Sequence, residues 1–244
     1  MIAQTRAELL KIRSTRTTLG LVAGMVALIL LFALLHGLLS HVDDLSRKET
    51  QRDQLGFGSI AAIFAALAGV LVVTSEYRFG TIRPTFLFTP VRSRVISSKV
   101  AAGIFAGLVF GVVGEGLALG IGYAVLEGRD IPIQPDGGEF SLLVLGALAS
   151  TALWGGIGAG LGAILRNQVG SVIGVLVWIF AIENLLFGFV PSVGRFTPGR
   201  ASDALMGLAT DHLLPPAAGG AVLVAWVVAL ATGGLVLTAR RDVN

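Results

Sequence analysis

Apolar residues run through this chain in six long blocks, and polar residues fall mainly between them. The blocks cover about 18–40, 55–75, 100–126, 140–165, 169–190 and 218–238. Each is close to the roughly 20 residues that a helix needs to cross a bilayer core about 30 Å thick. Between them, His41–Gln54 reads as a mixed-charge loop and Glu76–Lys99 as a polar, basic one. Glu127–Glu139 is acidic and carries Pro132 and Pro135. Arg166-Asn167-Gln168 is a very short turn, and Pro191–Ala217 is a longer loop with Pro198, Pro215 and Pro216. Ahead of the first block, residues 1–17 set Arg6, Lys11, Arg13 and Arg16 against Glu8. Ile2, Leu9 and Ile12 share one side of a helical wheel, bordered by Arg6 and Arg13. This predicts a weakly amphipathic interfacial helix whose long basic side chains reach phosphate level.

Composition sharpens this picture. Hydrophobic residues make up 54% of the 244 and charged residues 14%, too few polar groups to cover a soluble fold of this size. The expectation is an all-α integral membrane protein with six transmembrane helices and an N-terminal interfacial helix. Residues 1–244 then form a single transmembrane domain with no soluble domain left over. Leu19–Leu39 is 21 residues long, beyond the roughly 7–15 of a signal-peptide core, and reads as a retained span.

Charge sets the expected orientation. With the N-terminus inside, the inner segments hold 12 Lys and Arg against 3 acidic residues, and the outer loops hold 6 against 10. That bias places both termini in the cytoplasm, and the chain is expected in the plasma membrane. The net charge of +3 then reports topology and calls for no nucleic-acid partner. Cysteine is absent, so thiol catalysis and thiolate metal sites are excluded. The sequence contains no G-x-x-x-x-G-K-[ST] phosphate loop, H-E-x-x-H helix or G-x-S-x-G elbow. The chain is therefore expected not to be an enzyme and to bind no cofactor itself. Small residues recur at four-residue spacing as Gly103, Gly107 and Gly111, Gly158 and Gly162, and Gly170 and Gly174. Such stripes let helix backbones approach closely in lipid.

The segment from Glu76 to Lys99 carries the most information. The second span ends at Glu76, and Gly80 breaks the chain. Residues 81–88 set Phe86, Leu87 and Phe88 beside Arg83, which predicts a short amphipathic helix at the membrane face. Thr89 reads as an N-cap and Pro90 as the first residue of a new helix that carries Arg92, Arg94 and Lys99 up into the third span. In sequence the segment resembles the ABC type-2 exporter permeases. Those chains have Glu…Gly-Thr at the end of the second span, a short coupling helix, a Pro-x-x-Arg step and a Lys opening the third span. Glu76, Gly80, Thr81, Pro90, Arg92 or Arg94, and Lys99 occupy those places. The basic N-terminal helix, the six spans, the short fourth-to-fifth turn and the long last outer loop extend the likeness over essentially the whole chain.

The resemblance implies a permease that pairs with a second permease copy, as a homodimer, and with two copies of a separate ABC ATPase subunit, which would bind the ATP and Mg. It assigns coupling to Glu76, Tyr77, Arg78, Gly80, Thr81, Arg83, Pro90 and Arg92, with the N-terminal helix packed beside them. It also implies short re-entrant helices in 191–217, for which Phe196–His212 is the candidate. Beside the ATPase and the second copy, membrane lipid is the remaining partner.

Two carboxylates lie inside spans, Glu115 and Glu183, where a charge is costly and suggests function. At about 1.5 Å per residue they sit ~24 Å and ~21 Å above the cytoplasmic edge. With Asn184 beside Glu183, they are candidates for the substrate pathway. A structural role, hydrogen-bonded to a neighbouring helix, is the competing expectation. They also support the alternative function, an ion-coupled secondary transporter or channel. That class commonly carries inverted repeats, and residues 1–122 and 123–244 show no convincing similarity.

Overall fold

The structure, a computed structural model, describes residues 2–89, 91–208 and 210–240. In chain order the helices are α1 (Ile2–Ser14), α2 (Arg16–Leu39), α3 (Val42–Leu45), α4 (Lys48–Leu55), a 3-10 turn (Gly56–Ile60), α5 (Ala61–Arg78), α6 (Ile82–Phe88) and α7 (Arg92–Gly128). They continue as α8 (Gly137–Leu165), α9 (Gln168–Val177), a π turn (Trp178–Ile182), α10 (Glu183–Phe189), α11 (Pro191–Gly194), α12 (Pro198–Leu205) and α13 (Pro216–Arg240). Among the described residues there is no strand. Among the described residues, six helical stretches are long and apolar enough to cross a membrane: Arg16–Leu39, Lys48–Arg78, Arg92–Gly128, Gly137–Leu165, Gln168–Phe189 and Pro216–Arg240. The chain is a multi-pass helical membrane protein.

Glycine decides which helices form the core. α8 lies at the centre, against α5, α7 and α13. Where α7 crosses it, a Cβ on Gly103 would sit 2.6 Å from the Gly155 carbonyl oxygen, so the backbones touch. Gly107 and Gly111 continue this contact onto Thr151, while Gly158 and Gly162 seat α5 through the Ala66 and Val70 carbonyls. These stripes therefore pack within the chain. Gly174 has nothing within 4 Å, and Gly170 meets only the side chain of Asn167. The fifth span accordingly packs loosely: 11% of its apolar window is buried, against 61% for the second.

The polar segments gather at two ends, as alternating spans require. At one end lie α1, α6, the start of α7 and the α8–α9 turn. Here Arg92 donates to the Thr238 carbonyl at 2.9 Å and Arg166 to the Leu237 carbonyl at 3.2 Å, two cations on the last carbonyls of α13. At the other end the expected 41–54 loop is replaced by α3 and α4. Most of its charged residues stay exposed, while Gln51 and Gln54 fold inward. Gln51 is buried, donates to the carbonyls of Leu45 and Pro132 and accepts from Gln134 N, so it threads two connections together. Gln54 donates to the Ala33 carbonyl and bonds His36 at 2.7 Å.

Thr89 does not cap the helix that follows it. Its N–H bonds back to the Thr85 carbonyl at 3.0 Å, closing α6, and Val91 stands at the N-cap position of α7. A residue before proline is held in the extended region, which suits an N-cap and a helix exit equally, and here the backward bond decides. Pro90 itself lies outside the described residues, as do Arg241 and Asp242.

The 191–217 segment folds as α11, which packs on α10, and α12, which packs back against α8 and α13. All three tryptophans of the chain fasten it. Trp154 donates to Ser202 Oγ at 2.9 Å, Trp226 to the Phe196 carbonyl at 2.9 Å, and Trp178 to Glu183, which in turn accepts from Gly199 N. Arg52 adds bonds to the carbonyls of Met206 and Gly207.

Candidate functional site

The segment singled out by its sequence folds into a bracket around a buried charge cluster. α5 ends where Phe79 takes the C-cap and Gly80 turns left-handed at φ 70°, a conformation that glycine alone adopts freely. The chain then reverses into α6. Ile82 is buried, Phe86 lies half-buried under the Arg92 guanidinium at 5.7 Å, and Thr85 faces the end of α5. The opposite face of α6 is bare: Leu87 is 81% exposed and Phe88 90%, with Arg83 beside them and Phe79 at 71% just before.

Beneath α6, Glu76 is almost fully buried. One of its oxygens accepts from Lys11 Nζ at 2.7 Å and pairs with Lys99 Nζ at 3.0 Å; the other accepts from Thr85 Oγ1 at 3.2 Å. Lys99 has no exposed side-chain surface. It also pairs with Glu8 at 3.0 Å and donates to the Val72 carbonyl at 3.1 Å. Lys11 closes the ring on Glu8 at 3.1 Å. Two carboxylates and two ammonium groups therefore balance in one buried cluster drawn from α1, α5 and α7, with α6 attached through one hydroxyl. Burial works against the Lys11 charge, but its hydrogen bond to Glu76 and the charge of Glu8 outweigh this and hold its pKa above the ordinary lysine value.

The other expected coupling residues surround this cluster. Tyr77 is half-buried with Arg166 stacked 5.4 Å from its ring. Arg78 is exposed, rests over Phe79 and reaches Gln168 Oε1 at 3.3 Å. Thr81 is exposed; its carbonyl accepts from Thr85 N and lies 3.0 Å from Thr85 Oγ1, whose single proton is divided between this carbonyl and Glu76. Glu76, one of the expected coupling residues, is internal and bonded to Lys11, Lys99 and Thr85.

Sequence reading missed Glu8, Lys11, Thr85 and the role of Lys99. A usable signal was present. A lysine followed by a long apolar run needs a counter-charge, and the acids of the segments expected inside are Glu8, Glu76 and Asp242.

Glu115 and Glu183 are held by different elements. Glu115 is 2% exposed and lies against Gly58 of the 3-10 turn, and neither of its oxygens has a hydrogen-bond partner among the described residues. Glu183 is a pin beneath α12. It accepts from Trp178 Nε1 at 2.6 Å and from Gly199 N at 2.9 Å. The π turn makes the first bond by bringing residues five apart onto one side. Asn184 fills the loosened turn, donating to the carbonyls of Ile179 and Phe180, and accepts from Arg200 at 2.9 Å.

Because both partners of Glu183 are donors, an amide fits the site poorly. Glu183→Gln points an NH2 at one of them. It is expected to cost about 1–3 kcal/mol, the penalty of an unmet buried hydrogen bond. Hydrogen exchange in 196–206 should accelerate correspondingly in the variant; unchanged protection would show that the pin is dispensable. Comparison with protein-family models and with curated proteins finds no match to this chain.

Proposed function

We propose that this chain is the membrane-spanning permease subunit of an ATP-driven exporter of the ABC type-2 kind, with α6 as the helix on which a separate ATPase subunit pushes. One observation carries this reading: the exposed α6 is tied through Thr85 to Glu76, and Glu76 to Lys99 and Lys11. A partner gripping Arg83, Leu87 and Phe88 would move Thr85. Glu76 would be drawn along through that hydrogen bond, and Lys99 would follow Glu76, because breaking a buried ion pair from one side costs about 3–5 kcal/mol. α1, α5 and α7 would then shift together. α7 is a continuous helix of 37 residues, roughly 55 Å long, so motion at Lys99 would reach the far end of the bundle.

In this reading two ATPase copies serve two permease copies, with ATP and Mg bound on the partner. The thinly covered first and fifth spans are available for a second copy or lipid. The charge bias supports both termini in the cytoplasm and the plasma membrane as location. The alternative, an ion-coupled carrier or channel, draws on the unpartnered Glu115; it would run on an ion gradient alone, without ATP.

The test is affinity purification from native membranes. The parent chain should recover a chain with a G-x-x-x-x-G-K-[ST] loop that hydrolyses ATP. Charge reversal at Arg83 with Phe88→Asp should lower its recovery at least tenfold, since a desolvated apolar anchor is lost. Equal recovery, or no nucleotide-binding chain with the parent, would count against the proposal.

A further inference from the structure

A groove of about 450 Å³ opens between α1, α2 and α7, inside the range of pockets that hold small ligands. Its walls are apolar, with Leu9 and Ile12 on α1, Val22 and Met25 on α2, and Phe105 and Val109 on α7. Two polar residues border it, Arg6 and Thr18. The charge cluster fixes which way α1 faces. Glu8 is held inward by Lys99, and two residues along a helix is a rotation of roughly 200°, so Arg6 is turned away from the cluster and toward the groove. Arg6 is exposed, and no carboxylate of the described residues forms a salt bridge with it.

The location narrows the occupant. α1 crosses the end of the bundle beside Glu76 and Lys99, while Phe105 and Val109 lie deeper along α7. An amphipathic molecule in this groove therefore meets a cation at the depth of lipid phosphate and an apolar slot directly below. Arginine is the side chain best suited to a phosphate, through paired N–H donors.

We propose that this groove binds one acyl chain of an anionic phospholipid from the surrounding leaflet, with its phosphate on the Arg6 guanidinium. The site does not depend on the ATP-coupled function, and its test measures lipid alone. The protein is placed in nanodiscs of equal phosphatidylglycerol and phosphatidylcholine, and the lipids retained on release are counted by native mass spectrometry. The parent retains phosphatidylglycerol in preference. Arg6→Ala lowers that preference about fivefold, the effect of one interfacial cation, and Arg6→Lys keeps part of it. Val109→Trp fills the slot and lowers retention of both lipids. Arg94→Ala, an exposed cation at the same end but outside the groove, leaves the preference intact. Equal retention of the two lipids by the parent, or an unchanged preference in Arg6→Ala, overturns the proposal. So does high-yield cross-linking of Val109→Cys between two copies in the same discs, which shows that a second protein chain fills the groove.

Discussion

Lys99→Met is expected to be the most damaging single substitution at the N-terminal end of the bundle. Methionine preserves much of the side-chain volume, so little packing is lost. It removes the cation that Glu8 and Glu76 share, leaving two buried carboxylates with only the half-exposed Lys11 between them. Breaking a buried pair from one side costs about 3–5 kcal/mol, a large part of the roughly 5–15 kcal/mol that holds an ordinary domain together. The variant should therefore melt well below the parent in detergent, with α1 exchanging amide protons first. Adding Glu76→Gln removes the surplus charge, and the double variant should recover part of the loss instead of summing two losses. Simple additivity would show that the four groups do not act as one cluster.

Gly155→Leu should be comparably severe by a different route. A Cβ at this position meets the Gly103 carbonyl, and a Cβ on Gly103 meets the Gly155 carbonyl in return. The obstruction is backbone on both sides, so no rotamer change relieves it. Overpacking a yielding core costs about 1–3 kcal/mol, and here the loss should exceed that range because α7 and α8 must separate. Gly174→Leu is the matched control. It lies in the same kind of stripe but faces open space, so its effect on monomer stability should be small. Equal destabilisation by the two would mean that the crossing is not the close contact described.

The spans were legible because lipid imposes one rule on every turn of a buried helix, and a block such as 140–165 obeys it without reference to anything distant. The small helix at 82–88 was legible for a similar reason: Gly80 before it and the Arg83/Phe86 pattern within it are local. The charge cluster was not, because two of the bonds that assemble it, Lys11 to Glu76 and Lys99 to Glu8, join residues 65 and 91 positions apart. In sequence Glu8 is simply an acid among bases. Segment 41–54 reads as a loop but folds as two short helices, because Gln51 and Gln54 anchor it through amide bonds to distant carbonyls that local sequence does not reveal. From sequence, Glu183 suits a substrate contact and a structural role equally. Trp178 lies five residues before it, a spacing that an ordinary α-helix does not bring onto one face, so the π turn concealed the partner. Glu115 is buried with no hydrogen-bond partner among the described residues.

The central claim is that motion of α6 passes through Glu76 into α7. Thr85→Val tests it most directly, since it removes the hydroxyl bond to Glu76 and leaves the exposed face of α6 unchanged. The measurement is hydrogen exchange of the complex purified through this chain, with and without ATP. In the parent, ATP should alter protection along α7 as far as its distal end. Thr85→Val should retain the ATPase chain but lose most of that ATP-dependent change. An identical ATP response in the variant, or no response in the parent, would contradict the coupling route.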